Sequence, residues 1–187
     1  MTTLTDRPGS VLLVVDVQRG VMAASVDSER VVATIAVLVQ RARAAGVPVV
    51  WVQHSSDDLP LGSEAWRYVP ELVAAAGEAV VHKTYGDSFE DTDLEDVLAA
   101  RGAGRLVVAG AQSDACIRST LHGAFTRGYD VTLVTDAHTT EDLSAWGAPP
   151  PQQVVAHTNL YWGFQRAPGR TAAAVPSDEV DLAGTRD

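Results

Sequence analysis

Cys116 is the one thiol in a chain of 187 residues, and Asp16 and Lys83 are the residues best placed to act on it. Asp16 closes the apolar run 11–15, Lys83 follows the short run 79–82, and Cys116 lies just beyond the run 105–109, in the first turn of a helical pattern. A thiolate is a strong nucleophile, a carboxylate can take the thiol proton and return it to a leaving amine, and an ammonium can hold the thiolate charge. Together the three could cleave an amide through a thioester. A free thiol titrates near about 8.5, and a helix N-terminus beside Lys83 would favour the thiolate at Cys116. Backbone amides of 110–116 would face the same pocket and could hold the oxyanion. Each residue alone has a plainer reading: an inert buried cysteine, a solvated lysine, an aspartate capping a turn.

The case rests on whether the chain brings the three together. Short β-branched runs alternate with helical patterns, the signature of parallel strands joined by crossover helices. The run 11–15 is apolar throughout, as in a central strand covered on both faces. Val31, Ile35, Leu38 and Ala42 recur at helical spacing over 28–45, with Gly46 and Pro48 as stop signals. Strands are expected at 47–52, 79–82, 105–109, 130–135 and 171–175, with a loop over 54–62. Helices are expected from a Thr92/Glu95 capping box through Ala100, over 115–127, and over 149–165. In an open parallel sheet, ligands bind beyond the carboxyl ends of the strands, where all three residues fall.

Composition narrows the partners. Fourteen basic against 24 acidic residues give a net charge of -10, which repels polyanions and excludes a nucleic-acid footprint. A lone cysteine offers no disulfide framework and suits a reducing compartment, so a cytoplasmic location is expected. The run 11–15 is too short for a signal-peptide core or a membrane span. The length suits a single domain over 1–187, with flexible ends at 1–9 and 176–187. The turn at 16–20 lacks a Gly-x-Gly-x-x-Gly cradle and no P-loop occurs, which disfavours a nucleotide-binding module.

Four segments carry a resemblance: Leu12 to Gln18 (LLVVDVQ), His82 to Phe89 (HKTYGDSF), Val107 to Cys116 (VVAGAQSDAC), and Gly128 to Val131 (GYDV) with Asp136-Ala137. In order and spacing the chain resembles the isochorismatase-like cysteine hydrolase superfamily, which includes nicotinamidases, N-carbamoylsarcosine amidases and isochorismatases. The resemblance implies that Asp16, Lys83 and Cys116 form a catalytic triad. It also implies an oxyanion hole at the amides of Gln112 and Cys116, and a cis peptide at Ala111-Gln112. The expected architecture is α/β: three layers, α/β/α, around an open, mostly parallel six-stranded sheet of Rossmann-like order 3-2-1-4-5-6.

Gln18, His54, Tyr85, Phe89 and His138 are expected to line a substrate pocket, Gln18 and Phe89 with structural alternatives as a loop hydrogen-bonder and a core side chain. The nicotinamidase branch holds a metal with an Asp-x-His pair and a second His near the second strand. Here the segment reads Gln53-His54-Ser55-Ser56, so no metal and no cofactor are expected. The leading expectation is hydrolysis of a small amide or carbamoyl C–N bond by a homo-oligomer, dimer or tetramer. The alternatives are a vinyl-ether hydrolase using Asp16 without covalent catalysis, and a non-catalytic ligand-binding homologue.

Overall fold

In the computed structural model, residues 2–184 are described; the flexible ends expected at 1–9 and 176–187 therefore lie partly outside it, at 1 and 185–187. The elements run β1 (Gly9–Val15), α1 (Arg19–Ala24), α2 (Ser28–Ala44), β2 (Val49–His54), β3 (Ala79–Lys83), α3 (Leu94–Ala99), β4 (Ala103–Ala111), α4 (Arg118–Thr126), β5 (Asp130–Thr139), α5 (Pro151–Gly163), β6 (Arg166–Ala167) and β7 (Arg170–Val175). A π turn, Ser113–Ile117, leads directly into α4.

The sheet has the order β3-β2-β1-β4-β5-β7-β6. Six strands are parallel, in the expected succession, and two-residue β6 adds a seventh, antiparallel one at the edge. The unbroken apolar run of β1 has its reason in the layers. Leu12 and Val14 pack with Val31, Ile35 and Leu38 of α2, while Val11, Leu13 and Val15 pack with Leu94 and Leu98 of α3 and Leu121 and Phe125 of α4. Alternate side chains enter opposite layers, so every position must be apolar.

Helix α2 ends as its sequence indicates. Val47 N–H donates to Ala42 O at 2.8 Å and Gly46 N–H to Arg43 O at 3.1 Å, with Gly46 at φ +68°, a Schellman closure that a Cβ would strain. The Thr92/Glu95 capping box does not form. Asp93 holds the N-cap position, Thr92 Oγ1 donates to Ser88 O at 2.6 Å, and Glu95 turns away to Arg7 at 2.6 Å and Tyr129 Oη at 2.9 Å. A charged partner outside the helix won the glutamate.

The segments read as flexible ends carry contacts. Thr3 N–H donates to Gly128 O at 3.0 Å, and Val180 and Leu182 are buried against the α2 layer, where Arg41 Nη2 donates to Val180 O at 3.0 Å. The long connection between β2 and β3 is pinned at its far end by Glu78. Its carboxylate accepts from Arg43 at 2.7 and 2.9 Å, Trp51 Nε1 at 2.7 Å and Ala75 N–H at 2.8 Å. The Arg43 guanidinium, aided by the other donors, holds Glu78 well below the usual carboxylate range, at about 2. No helix among the described residues is long and apolar enough to cross a membrane.

Candidate active site

Strand register delivers the three chemical residues to one edge. Val15 pairs with Gly110 and Val52, and His54 pairs with Lys83, so the chain leaves β1, β2, β3 and β4 side by side. A Cβ at Gly110, whose φ is +132°, would fall 2.0 Å from the Val15 carbonyl oxygen, so only glycine lets β4 pass β1 this closely. Asp16 follows with a φ of +53°, its N–H donating to Val52 O at 3.0 Å and its carbonyl accepting from Gln18 N–H at 2.8 Å. Asparagine and aspartate tolerate this left-handed geometry better than other side chains, and here it turns the carboxyl inward. The Ala111-Gln112 peptide bond is cis. Beyond it Ile117 N–H reaches back five residues to Gln112 O at 3.1 Å, and Cys116 sits on this widened turn.

Lys83 is the hub. Only 2% exposed, it sets its ammonium 2.7 Å from Asp16 Oδ2, 3.1 Å from Cys116 Sγ, 3.1 Å from Tyr85 O and 3.3 Å from His54 Nδ1. An ammonium has three protons, so four acceptors share them. Ionising the sulfur would strengthen it as an acceptor at the expense of neutral His54. Because His54 Nδ1 faces a cation, the neutral ring carries its proton on Nε2. Burial, then Lys83, push His54 below its ordinary value and keep it in that neutral form.

Asp16 is 1% exposed, and its Oδ1 makes no hydrogen bond; the neighbouring Cys116 thiol is the group placed to give it a proton. Burial raises the Asp16 carboxyl against the pull of Lys83, which makes it a better base near neutrality than an exposed aspartate. Burial would lower Lys83, but Asp16 and Cys116 together outweigh it, so the amine stays charged. The thiol departs from the sequence-based expectation. Burial and the facing Asp16 carboxylate push Cys116 up to about 11, more than Lys83 pulls it down, so the resting sulfur is a thiol. The arrangement suits a proton handed to Asp16 during attack rather than a standing thiolate.

A cavity of about 370 Å³ opens onto Asp16, His54, Gln112 and Cys116. His54 is the one side chain of the expected pocket set that lines it. Gln18 is instead a clamp: its Nε2 donates to His54 O at 2.9 Å and Trp66 O at 2.8 Å, while its Oε1 accepts from His54 N–H at 2.8 Å. Tyr85 contributes its carbonyl to Lys83, but its ring is half exposed outside the cavity. Phe89 is core, packed on Tyr129 under the Arg127 guanidinium. His138 belongs to β5, which runs four residues past the expected end and carries it behind the nucleophile turn. There Ser113 Oγ lies 2.7 Å from its Nδ1 and Asn159 Oδ1 2.8 Å from its Nε2. Since Asn159 Nδ2 donates to Thr135 O, Asn159 Oδ1 accepts from His138 and Ser113 donates to it.

Missed by sequence reasoning were Leu59, Asp58 and Ala65 from the β2–β3 connection, Glu141 after β5, and Gly20 and Val21 in α1. Gln18 and Gln53 both donate to Trp66 O, which folds that connection over the site. Two buried glutamines flanking strand ends were the signal. Among the described residues no group of three or more His, Cys, Asp or Glu is disposed to hold a metal ion.

His138 gives a pH prediction. Burial lowers its pKa below the ordinary value of about 6.5. Below that pH the unfolded chain binds a proton that the folded chain refuses. Stability present above about 6.5 is therefore lost as pH falls toward the folded value, at up to about 1.4 kcal/mol per pH unit. Thermal melts at pH 6.5 and 5.0 should show a smaller acid-induced drop in His138→Gln than in the wild type; equal drops would contradict it.

Comparison with known proteins places these features in context. The model of the isochorismatase domain family matches residues 10–148. A streptothricin hydrolase from Streptomyces noursei is 38% identical over 151 residues, covering 77% of this chain and 60% of the relative. The chain thus spans less than two thirds of that protein's length. A secreted isochorismatase effector from Verticillium dahliae is 31% identical over 141 residues, 72% of this chain and 74% of the relative. Among solved structures, a protein from Oleispira antarctica assigned to the isochorismatase hydrolases superposes with a TM-score of 0.84 at 31% identity, covering 96% of this chain and 97% of its own.

Proposed function

The chain belongs to the isochorismatase domain family, and from that premise we propose that it is a cysteine-dependent hydrolase cleaving a small amide or carbamoyl C–N bond through a thioester on Cys116. The observation that carries this reading is the Lys83 ammonium standing 2.7 Å from Asp16 and 3.1 Å from the one sulfur nucleophile, with Asp16 and Cys116 both lining an open cavity.

Attack begins as Sγ bonds to the carbonyl carbon and its proton passes to Asp16, while Lys83 steadies the charge on both. The carbonyl oxygen becomes an oxyanion, held by the backbone N–H groups of Gln112 and Cys116. On collapse the C–N bond breaks, Asp16 returns the proton to the leaving nitrogen, and the amine departs. Water then attacks the thioester with Asp16 as base, releasing the carboxylic acid and restoring the thiol. Lys83 keeps its proton throughout.

Incubation with a panel of small amides, lactams and carbamoyl compounds, followed by acid quench and intact-mass measurement, tests this. A cleaved substrate should leave an adduct equal to its acyl half on the wild-type chain and none on Cys116→Ala. Turnover with no adduct, retained in Cys116→Ala, would overturn it.

A further inference from the structure

The cavity has a charge pattern that the cleavage chemistry does not require. Besides Asp16, the neutral His54 and the Cys116 thiol, its ionisable side chains are Asp58 and Glu141, and among the described residues no lysine or arginine lines it. Asp58 comes from the β2–β3 connection and is exposed; Glu141 follows β5 and is half buried, its backbone bridged to Ser25 just after α1. Some carboxylates of the chain meet cations, as Glu95 does Arg7, Glu64 Arg19, Glu78 Arg43 and Asp87 Arg127. Asp58 and Glu141 have no such ion-pair partner among the described residues. Deeper in the same cavity the Asp16 carboxyl is buried, with Lys83 at its Oδ2 and the Cys116 thiol beside it.

A cleft lined by one sign of charge raises the local concentration of the opposite sign, and the chain's net charge of -10 adds to that field. A carboxylate-bearing substrate would meet two like charges and no counter-ion, whereas an ammonium or guanidinium would find two carboxylates. A volume of about 370 Å³ holds a small molecule with a carbonyl at Cys116 and a cationic end at the mouth. Resting on the amidase reading for the chemistry, we propose that this cavity selects amides carrying a cationic group, held by Asp58 and Glu141, and rejects carboxylate-bearing ones. Discrimination arises from attraction at the mouth and equally from the unpaired charge an anion would suffer there.

The sole cysteine permits a test without turnover. Methanethiosulfonates with a trimethylammonium-ethyl or a sulfonatoethyl group react by the same step: the sulfur of Cys116 bonds to the sulfenyl sulfur, a disulfide forms and methanesulfinate leaves. The cation-to-anion rate ratio is measured by intact mass and divided by the ratio for 2-mercaptoethanol, a neutral thiol. At low ionic strength the normalised ratio should be about 10 or more, and it should shrink in 0.5 M salt. It should fall at least about threefold in Asp58→Asn/Glu141→Gln, or by a lesser factor in the single Asp58→Asn if the double variant does not fold. A normalised ratio of one or below, or one unchanged by these substitutions, overturns the proposal. Failure of the amidase reading would appear separately, as a missing acyl adduct with the charge ratio intact.

Discussion

Cys116→Ala is expected to lower amide turnover by a factor of about 10⁴ or more, and Asp16→Asn to do the same, because removing any member of a unit that acts together forfeits nearly the whole effect. The measurement is single-turnover hydrolysis of whichever amide labels the wild-type enzyme. The two variants also separate mechanisms. A vinyl-ether hydrolase that uses Asp16 as a proton donor would keep most of its rate in Cys116→Ala and lose it in Asp16→Asn. Covalent amide cleavage loses it in both. Because the thiol is pushed up to about 11, alkylation of Cys116 by iodoacetamide should keep rising with pH beyond pH 9 in the wild type rather than levelling near the value of a free thiol. Fast alkylation at pH 7 would show that the sulfur rests ionised and that Asp16 is not needed to take its proton.

What could be read beforehand follows from where the information sits. Asp16, Lys83 and Cys116 each end or follow an apolar run, and such runs record burial on both faces of a sheet, so strand ends and their common edge were visible in residue order. Helix α2 was visible for a similar reason, since its buried face and its Gly46 stop are local. The cavity wall was not. Leu59 and Asp58 reach it because Gln18 and Gln53 tie the carbonyl of Trp66, 48 and 13 residues away, and pairing at that range leaves no periodic trace. His138 was misplaced because β5 continues through an irregular register between Val108 and Gly110 of its neighbour, past the aspartate that looked like its end. The direction in which burial pushes the thiol was out of reach for a different reason: helix position and a nearby lysine are visible in sequence, but the extent of desolvation is a property of packing.

Lys83→Met should be the most destabilising single change at the site. Met keeps most of the stem's volume while removing the ammonium, which leaves Asp16 buried with no counter-charge, as it is 1% exposed and Oδ1 already lacks a partner. Breaking one side of a buried pair costs about 3–5 kcal/mol, whereas replacing both sides with neutral groups of similar size is often close to neutral. For a chain of this length the single variant should melt roughly 6–20 °C lower. Asp16→Asn/Lys83→Met should recover most of that loss yet remain inactive, since it has neither the base nor the cation that steadies the sulfur. Paired thermal melts and turnover assays on the two variants therefore separate what Lys83 does for the fold from what it does for the reaction. If the double variant melted as low as the single one, the lysine would be holding the site through Tyr85 O and His54 rather than through its charge on Asp16.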